Sequence, residues 1–314
     1  MTDPKPPLDI LLCAPRGFCA GVDRAIQIVE LALHKFGPPV YVRHEIVHNH
    51  HVVRRLEELG AVFVESEDEI PPGEICVLSA HGVAPAVREN CEQRGLRVVD
   101  AVCPLVSKVH AEARRYADSG HLVALIGHAG HVEVIGTKGE RPDQIVVVES
   151  PEDAERLDTD GKPLAVITQT TLSLDDVAST VDELGRRFGG LKRPGADDIC
   201  YATQNRQDAV KEIARRGATL ILVIGSPTSS NANRLVEVAQ VAGAEATLVD
   251  GESRLDDALV DGHRAVGLTA GASTPEGLVR AVLEELAERG YGEVEEVTVA
   301  REDVHFRLPR EVYA

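Results

Sequence analysis

The sequence has no tryptophan and only five tyrosines, so it absorbs weakly near 280 nm and a coloured cofactor would stand out. There is no Cys-x-x-Cys pair, and six cysteines lie at wide, irregular spacing in 314 residues. That argues against a zinc ribbon, a thioredoxin-like redox pair and a secreted disulfide scaffold. No apolar run reaches the roughly 18 residues of a membrane span, and the opening MTDPKPPLDI has no apolar signal core. The expectation is a cytoplasmic chain with no membrane partner. Basic residues are outnumbered, 33 Lys and Arg against 51 Asp and Glu, for a formal charge of −18. Binding to a phosphate backbone is supplied mainly by Lys and Arg, so no nucleic-acid partner is expected. A small anion needs only local donors and stays open.

What is present is an ordinary globular composition, 43% hydrophobic and 27% charged, long enough for two or three domains. Three cysteines share one setting, at the end of an apolar run and just before an amphipathic helix. They are Cys19 in LLCAPRGFCAGVDRAIQIVE, Cys103 in VVDAVCPLVSKVHAEA and Cys200 in DDICYATQNRQDAVKEIA. After each comes a helix, carrying Val22, Ile26, Val29 and Leu33 in the first case, Val109, Ala113 and Tyr116 in the second, and Val210 and Ile213 in the third. A short β-branched strand follows and ends in a polar loop at His48, His131 or Asn231, which are 29, 28 and 31 residues past the respective cysteines. A further strand ends at His81, Thr170 or Ser273, at offsets of 62, 67 and 73. The same βαβαβ pattern thus occurs three times with almost no sequence identity.

This predicts an α/β protein of three pseudo-threefold-related βαβ-type units with small parallel sheets, their polar residues at the carboxyl ends of the strands. The units are 1–101, 102–196 and 197–290, with LKRPGADD as a linker near 195. The tail 291–314, strand-like in its alternation, packs back on the first unit.

Three thiols, one per unit, would leave one corner of a metal centre open, and an open iron can act as a Lewis acid. All three precede helix starts, which favour thiolate. Cys13 and Cys76 sit inside apolar strand runs and read as structural; Cys91 also lacks a matching place. The polar loop ends comprise His48, Asn49, His81, His131, Glu133, Thr170, Thr171, Ser229, Ser230, Asn231 and Ser273. There is no P-loop and no GxGxxG after a strand, yet such donors at helix starts make a cradle for phosphate oxygens. No Asp-rich metal motif stands beside these loops, so an obligatory Mg²⁺ is not expected. Helix capping explains part of the pattern: Ser173 with Asp176, and Ser273 with Glu276, fit Ser-x-x-acid boxes. Glu133, in HAGHVEVIG with His128 and His131, is the sharpest candidate proton donor, facing the hydroxyls of Thr170 and Thr171.

The segments PRGFCAGVDRAI, YVRHEIVHN, SAHGV, CPLVSKVH, IGHAGHVEVIG, TQTTLS, DICYATQNRQ, GSPTSSNANRL and TAGAST together resemble the 4-hydroxy-3-methylbut-2-enyl diphosphate reductase family. The resemblance covers nearly the whole chain. It implies a three-lobed α/β trefoil around a central cavity and the last, reductive step of non-mevalonate isoprenoid synthesis. By resemblance, Cys19, Cys103 and Cys200 hold a [4Fe-4S] cluster with one non-cysteine-ligated iron. His48, His81, Ser229, Asn231 and Ser273, with Ser230 near them, match diphosphate-binding positions. His131, Glu133 and Thr170 match positions that handle the substrate hydroxyl and the proton. The resemblance also suggests reduced ferredoxin or flavodoxin as electron donor, since no flavin or nicotinamide motif is present. One departure is Val102 in DAVCP, where the family usually has threonine. The shape is nearly kept and the hydroxyl is lost. Two other classes compete. A non-redox iron–sulfur hydro-lyase needs a carboxylate-binding arginine clamp, and these loops offer little beyond Arg16 and Arg43. A three-thiolate zinc or iron sensor is separated by metal and sulfide analysis.

Overall fold

Helices and strands alternate along the chain where the apolar periodicity places them. The computed structural model describes residues 8–195, 198–263 and 265–313. Most of the opening read for a signal core, and the 196/197 boundary inside LKRPGADD, lie outside the described residues. The first stretch forms β1 (Leu8–Ala14), α1 (Ala20–Phe36), β2 (Val40–Arg43), α2 (His50–Glu58), β3 (Ala61–Val64), β4 (Ile75–Leu78), α3 (Pro85–Gln93) and β5 (Arg97–Asp100). Next come α4 (Pro104–Asp118), β6 (Leu122–Ile126), α5 (Val132–Lys138), β7 (Ile145–Val148), α6 (Pro151–Arg156), β8 (Leu164–Thr168) and α7 (Leu174–Phe188). The last stretch holds α8 (Tyr201–Arg215), β9 (Leu220–Ile224), α9 (Ser230–Val241), β10 (Glu245–Val249), α10 (Asp257–Val260), β11 (Ala265–Ala270), α11 (Glu276–Glu288) and β12 (Tyr291–Thr298).

The helix faces are those expected: Ile26, Val29 and Leu33 are buried in α1, Val109, Ala113 and Tyr116 in α4, and Val210 and Ile213 in α8, while Val22 is half-buried. β6, β8 and β9 are buried at every position, as parallel strands covered on both faces must be. Among the described residues every strand pairing is parallel, in three small sheets ordered β3-β2-β4-β5, β7-β6-β8 and β10-β9-β11-β1-β12. Each sheet repeats one three-strand order: the strand after the cysteine's helix is central, the next lies on one side, and the third on the other.

The chain falls into two compact units. One comprises the described residues up to Cys19 with Tyr201–Val304 and holds the five-stranded sheet. The other comprises Ala20–Cys200 with the residues from His305 onward and holds the two smaller sheets.

The segment that leads into each cysteine lies beside the third strand of a repeat. β5, before Cys103, pairs with β4; Lys192, before Cys200, bridges Ala165 of β8; β1, before Cys19, pairs with β11. β1 therefore shares a sheet with the 197–290 segment rather than with β2–β5. Its apolar run is buried on both faces, Ile10 and Leu12 with Leu268 and Val279, Leu11 and Cys13 with Val210 and Ile213. Such a strand needs neighbours on both sides, and β11 and β12 supply them. The tail is a strand only over β12. Val299 N–H still reaches Ala14 O (2.9 Å), but β1 ends there and Pro15 offers no N–H, so regular pairing stops. In the second unit, residues after 304 pack on α1: Lys35 Nζ donates to Glu311 O (3.1 Å) and Arg24 Nε to Arg307 O (2.8 Å).

Close backbone approach is needed where β9 turns into α9. A Cβ on Gly225 would stand 2.6 Å from Ala232 Cβ, a residue buried at 0% exposure. Gly225→Ala is expected to cost about 1–3 kcal/mol through overpacking, read by denaturant unfolding. An unchanged midpoint would show that the loop yields freely.

Candidate active site

Backbone hydrogen bonds place the three cysteines equivalently. Cys19 N–H donates to Ala272 O (3.2 Å), Cys103 N–H to Ala80 O (3.0 Å) and Cys200 N–H to Thr170 O (3.0 Å). Each acceptor lies in the loop that follows the third strand of a repeat. Each cysteine then stands at the start of a helix: α1 begins at Ala20, α4 at Pro104 with Cys103 as its N-cap, and α8 at Tyr201. All three thiols are half-buried, whereas Cys13, Cys76 and Cys91 are fully buried. Burial pushes the Cys13 thiol up to about 12 and raises Cys76 and Cys91 as well, so these three remain neutral thiols.

In the second unit, three imidazoles gather at the ends of β2, β4 and β6. His48 stacks on His81 with centroids 4.0 Å apart, and His131 meets them edge-on at 5.4 and 6.1 Å. His131 is the N-cap of α5, and its Nδ1 accepts the Glu133 N–H (3.2 Å). That bond fixes the tautomer and leaves Nε2 as the N–H donor. His131 Nε2 is buried and has no hydrogen-bond partner among the described residues. Burial, with His48 and His128 nearby, lowers His131 to about 4; burial and the neighbouring His48, His131 and His44 hold His81 well below 6.5. Both rings are neutral at pH 7, although His81 keeps a partly open edge. His48 Nδ1 lies 3.0 Å from Glu45 Oε2, and Ser79 Oγ 3.3 Å from His81 Nδ1. Asn49 caps α2, its Oδ1 accepting from His51 N and Val52 N.

Glu133, 3% exposed in the first turn of α5, binds Thr170 twice. Oε1 accepts Thr170 N–H at 2.7 Å and Oε2 accepts Thr170 Oγ1–H at 2.9 Å. Burial raises Glu133 to about 7; the Thr170 bonds oppose the rise and the charge of Asp198 adds to it. Thr170 thus joins the acid to Cys200 through its own carbonyl. Thr171 Oγ1 accepts from Gln169 Nε2 (2.9 Å). Sequence reasoning missed the carboxylates behind this group. Asp198 Oδ2 accepts Thr168 N–H (3.1 Å), Asp198 Oδ1 accepts from Lys108 Nζ (3.1 Å), and burial followed by the bond to Asp198 raises Glu112 to about 7. The signal was faint, the second Asp of an Asp-Asp pair two residues before Cys200. Val102 is buried in an apolar cluster with Leu78, Val83 and Val106.

In the first unit, Ser229 caps α9, its Oγ accepting Ala232 N–H (3.3 Å). Asn231 joins two loops: Oδ1 accepts Ala272 N–H (2.8 Å) and Nδ2 donates to Thr203 Oγ1 (3.4 Å). Ser230 is half-buried beside it, and Ser273 is buried in the next loop. The expected capping role of Ser273 does not hold. α11 begins at Glu276 with Pro275 as its N-cap, because proline's fixed φ and missing N–H suit a helix entry. Ser173 does cap α7, accepting Asp175 N–H (3.2 Å).

The sequence model of the LytB protein family matches residues 10–287. The chain belongs to that family. It is an enzyme, an oxidoreductase. It is 56% identical over 311 residues to the 4-hydroxy-3-methylbut-2-enyl diphosphate reductase of Acidothermus cellulolyticus, covering 98% of this chain and 91% of that one. It is 53% identical over 305 residues to the enzyme of the same name from Streptomyces coelicolor, covering 96% and 90%. The fold matches the E-1-hydroxy-2-methyl-but-2-enyl-4-diphosphate reductase of Plasmodium falciparum with a TM-score of 0.95 at 39% identity, over 98% of this chain and 97% of that one. No helix of the described residues is long and apolar enough to cross a membrane.

The environment of Glu133 has a consequence for stability. A carboxyl whose folded pKa is raised favours the fold as the neutral acid below its ordinary value near 4.5. That contribution is lost as pH rises towards 7 and changes no further above it. Glu133→Gln lacks this loss, so its stability relative to wild type should improve by up to about 3 kcal/mol between pH 4.5 and 7. Denaturant unfolding across that range checks it; a difference independent of pH would contradict the burial argument.

Proposed function

We propose that this enzyme reduces (E)-4-hydroxy-3-methylbut-2-enyl diphosphate to isopentenyl and dimethylallyl diphosphate, the last step of the non-mevalonate isoprenoid route, in the cytoplasm. The observation that carries the reading is the equivalent backbone placement of Cys19, Cys103 and Cys200, one from each of the proposed units 1–101, 102–196 and 197–290. The donor set fits an iron–sulfur centre. Three half-buried thiols stand at helix starts, while the other cysteines are fully buried and neutral. In this reading the three hold a [4Fe-4S] cluster with one iron lacking a cysteine, which when bound supplies the electrons and a Lewis-acid position for the substrate hydroxyl. Reduced ferredoxin or flavodoxin is the proposed electron source.

The chain's own residues bind the diphosphate and handle the proton. His48, His81 and Thr171 from one unit and Ser229, Ser230, Asn231 and Ser273 from the other are the proposed diphosphate-binding residues. Imidazole N–H groups and hydroxyls donate hydrogen bonds to phosphate oxygens. His131 offers its buried Nε2–H to the substrate, a donor with no partner among the described residues. Each hydroxyl lost as water consumes two electrons and two protons, one completing the water and one ending on carbon. Glu133 titrates near 7 and so is partly protonated at neutral pH. Its Oε1 receives the Thr170 N–H, so the proton rests on Oε2, facing Thr170 Oγ1. Thr170 then accepts from Glu133 and turns its own O–H to the leaving oxygen, with Glu133 as the proton source.

Cys103→Ser should lose iron, sulfide and the visible absorption, and Cys76→Ser should keep all three, measured after anaerobic purification. Full iron and sulfide in Cys103→Ser would overturn the ligand assignment, and zinc without sulfide in the wild type would point to a sensor. Glu133→Gln should bind substrate within roughly tenfold of wild type yet turn over at least about a hundredfold more slowly with a reduced donor in excess. Near-normal turnover would remove Glu133 from the proton path.

A further inference from the structure

A second feature recurs three times and was not visible as a motif. Five residues past Cys19, five past Cys103 and six past Cys200 stand Arg24, Lys108 and Arg206, each in the first two turns of the helix that follows its cysteine. A cation at that end opposes the helix dipole, so helix propensity does not account for three of them.

Each cation reaches the segment just ahead of another cysteine. Arg24 Nη1 donates to Val102 O (3.0 Å) and Nη2 to Asp100 O (3.4 Å), immediately before Cys103. Lys108 Nζ donates to Asp198 Oδ1 (3.1 Å), two residues before Cys200. Arg206 Nε and Nη2 donate to Gly17 O (3.1 and 2.7 Å) and Nη2 also to Phe18 O (3.4 Å), immediately before Cys19. The helix after Cys19 thus grips the approach to Cys103, the helix after Cys103 the approach to Cys200, and the helix after Cys200 the approach to Cys19. Arg206 sits one residue further along, and it leans back towards the helix start, where Nη1 meets Ala202 O at 2.8 Å.

The costs are unequal and the pattern is kept. Arg206 is completely buried, with Glu302 Oε1 2.9 Å from Nη1 as its counter-charge. A buried guanidinium is a poor way to gain stability alone, since apolar side chains of similar volume often do as well or better. Gly17 has φ +65°, and a Cβ there would come 3.1 Å from Thr274 O, so the loop that Arg206 holds has little room to move.

We propose that Arg24, Lys108 and Arg206 are equivalent positioning residues, each setting the loop that presents the next cysteine. The proposal rests on the reading of Cys19, Cys103 and Cys200 as the cluster-holding set.

The test is hydrogen exchange at the three cysteine amides, which bond Ala272, Ala80 and Thr170. It is run on the full chain with and without the cluster. Arg206→Gln should speed exchange at Cys19, Arg24→Gln at Cys103 and Lys108→Gln at Cys200. Each should be at least about tenfold faster, the loss of one charge-assisted hydrogen bond, with the other two amides near wild type. In the loaded protein each variant should release iron to a chelator faster and shift the cluster's visible and EPR spectra. Arg94→Gln is the matched control, because Arg94 grips Asp68 O and Ile70 O (2.9 and 2.7 Å) and not the approach to Cys19, Cys103 or Cys200; it should change none of these. Arg24→Lys and Arg206→Lys keep the charge and lose the fork, so they should give the same one-to-one pattern at smaller amplitude. They keep the test decisive if a glutamine variant does not fold. Exchange that rises uniformly at all three amides, or at none, overturns the proposal. If Cys103→Ser loses the cluster while the exchange shows no pattern, the positioning role fails alone; if Cys103→Ser keeps full iron and sulfide, the cysteine reading has failed instead.

Discussion

Parallel pairing between the strand that leads into a cysteine and the third strand of a repeat is the constraint on which the site depends. Beyond the end of that pairing the cysteine's own amide bonds the carbonyl of Ala272, Ala80 or Thr170. The same geometry brings each thiol to the carboxyl end of a sheet, where open α/β proteins gather their ligands. It also starts a helix at once after each cysteine.

Burial then divides the titratable groups into working sets. Cys13, Cys76 and Cys91 lie inside apolar clusters and are held as neutral thiols. The neutral state of His131 and His81 comes from the same desolvation, reinforced in both by the nearby His48. Glu133 is moved the other way, towards neutral pH, while two bonds from Thr170 oppose the shift and orient the carboxyl. Burial thus leaves one carboxyl titrating near neutral pH beside the neutral rings of His81 and His131. That suits the proposed role of these residues towards a diphosphate.

Much of the site was legible in the chain. The offsets from each cysteine to His48, His131 and Asn231 mark the same strand end in each repeat, because a helix and a strand of similar length intervene every time. Glu133 stood out through its neighbours in HAGHVE, and its contact with Thr170 was expected. Less legible were features with long sequence separation. Ser273 looked like a helix cap, and Pro275 took that place. Arg206 lay inside a recognised motif, but its target is 189 residues away. Asp198 and Glu112 come from different segments, and Asp198 raises Glu112 only because folding brings the two together.

Amino-acid order by itself determined the α/β class, the threefold repetition, and which thiols stand before helices. These follow from local periodicity and turn chemistry, which need no knowledge of distant neighbours. Tertiary structure alone decided that β1 completes the sheet of β9–β11, since a strand apolar on both faces takes whichever partners cover both sides. It alone decided the protonation of Glu133 and His131 and the targets of Arg24, Lys108 and Arg206. Charge in a protein is governed by the dielectric and dipoles around it, and those are assembled only when distant segments pack together.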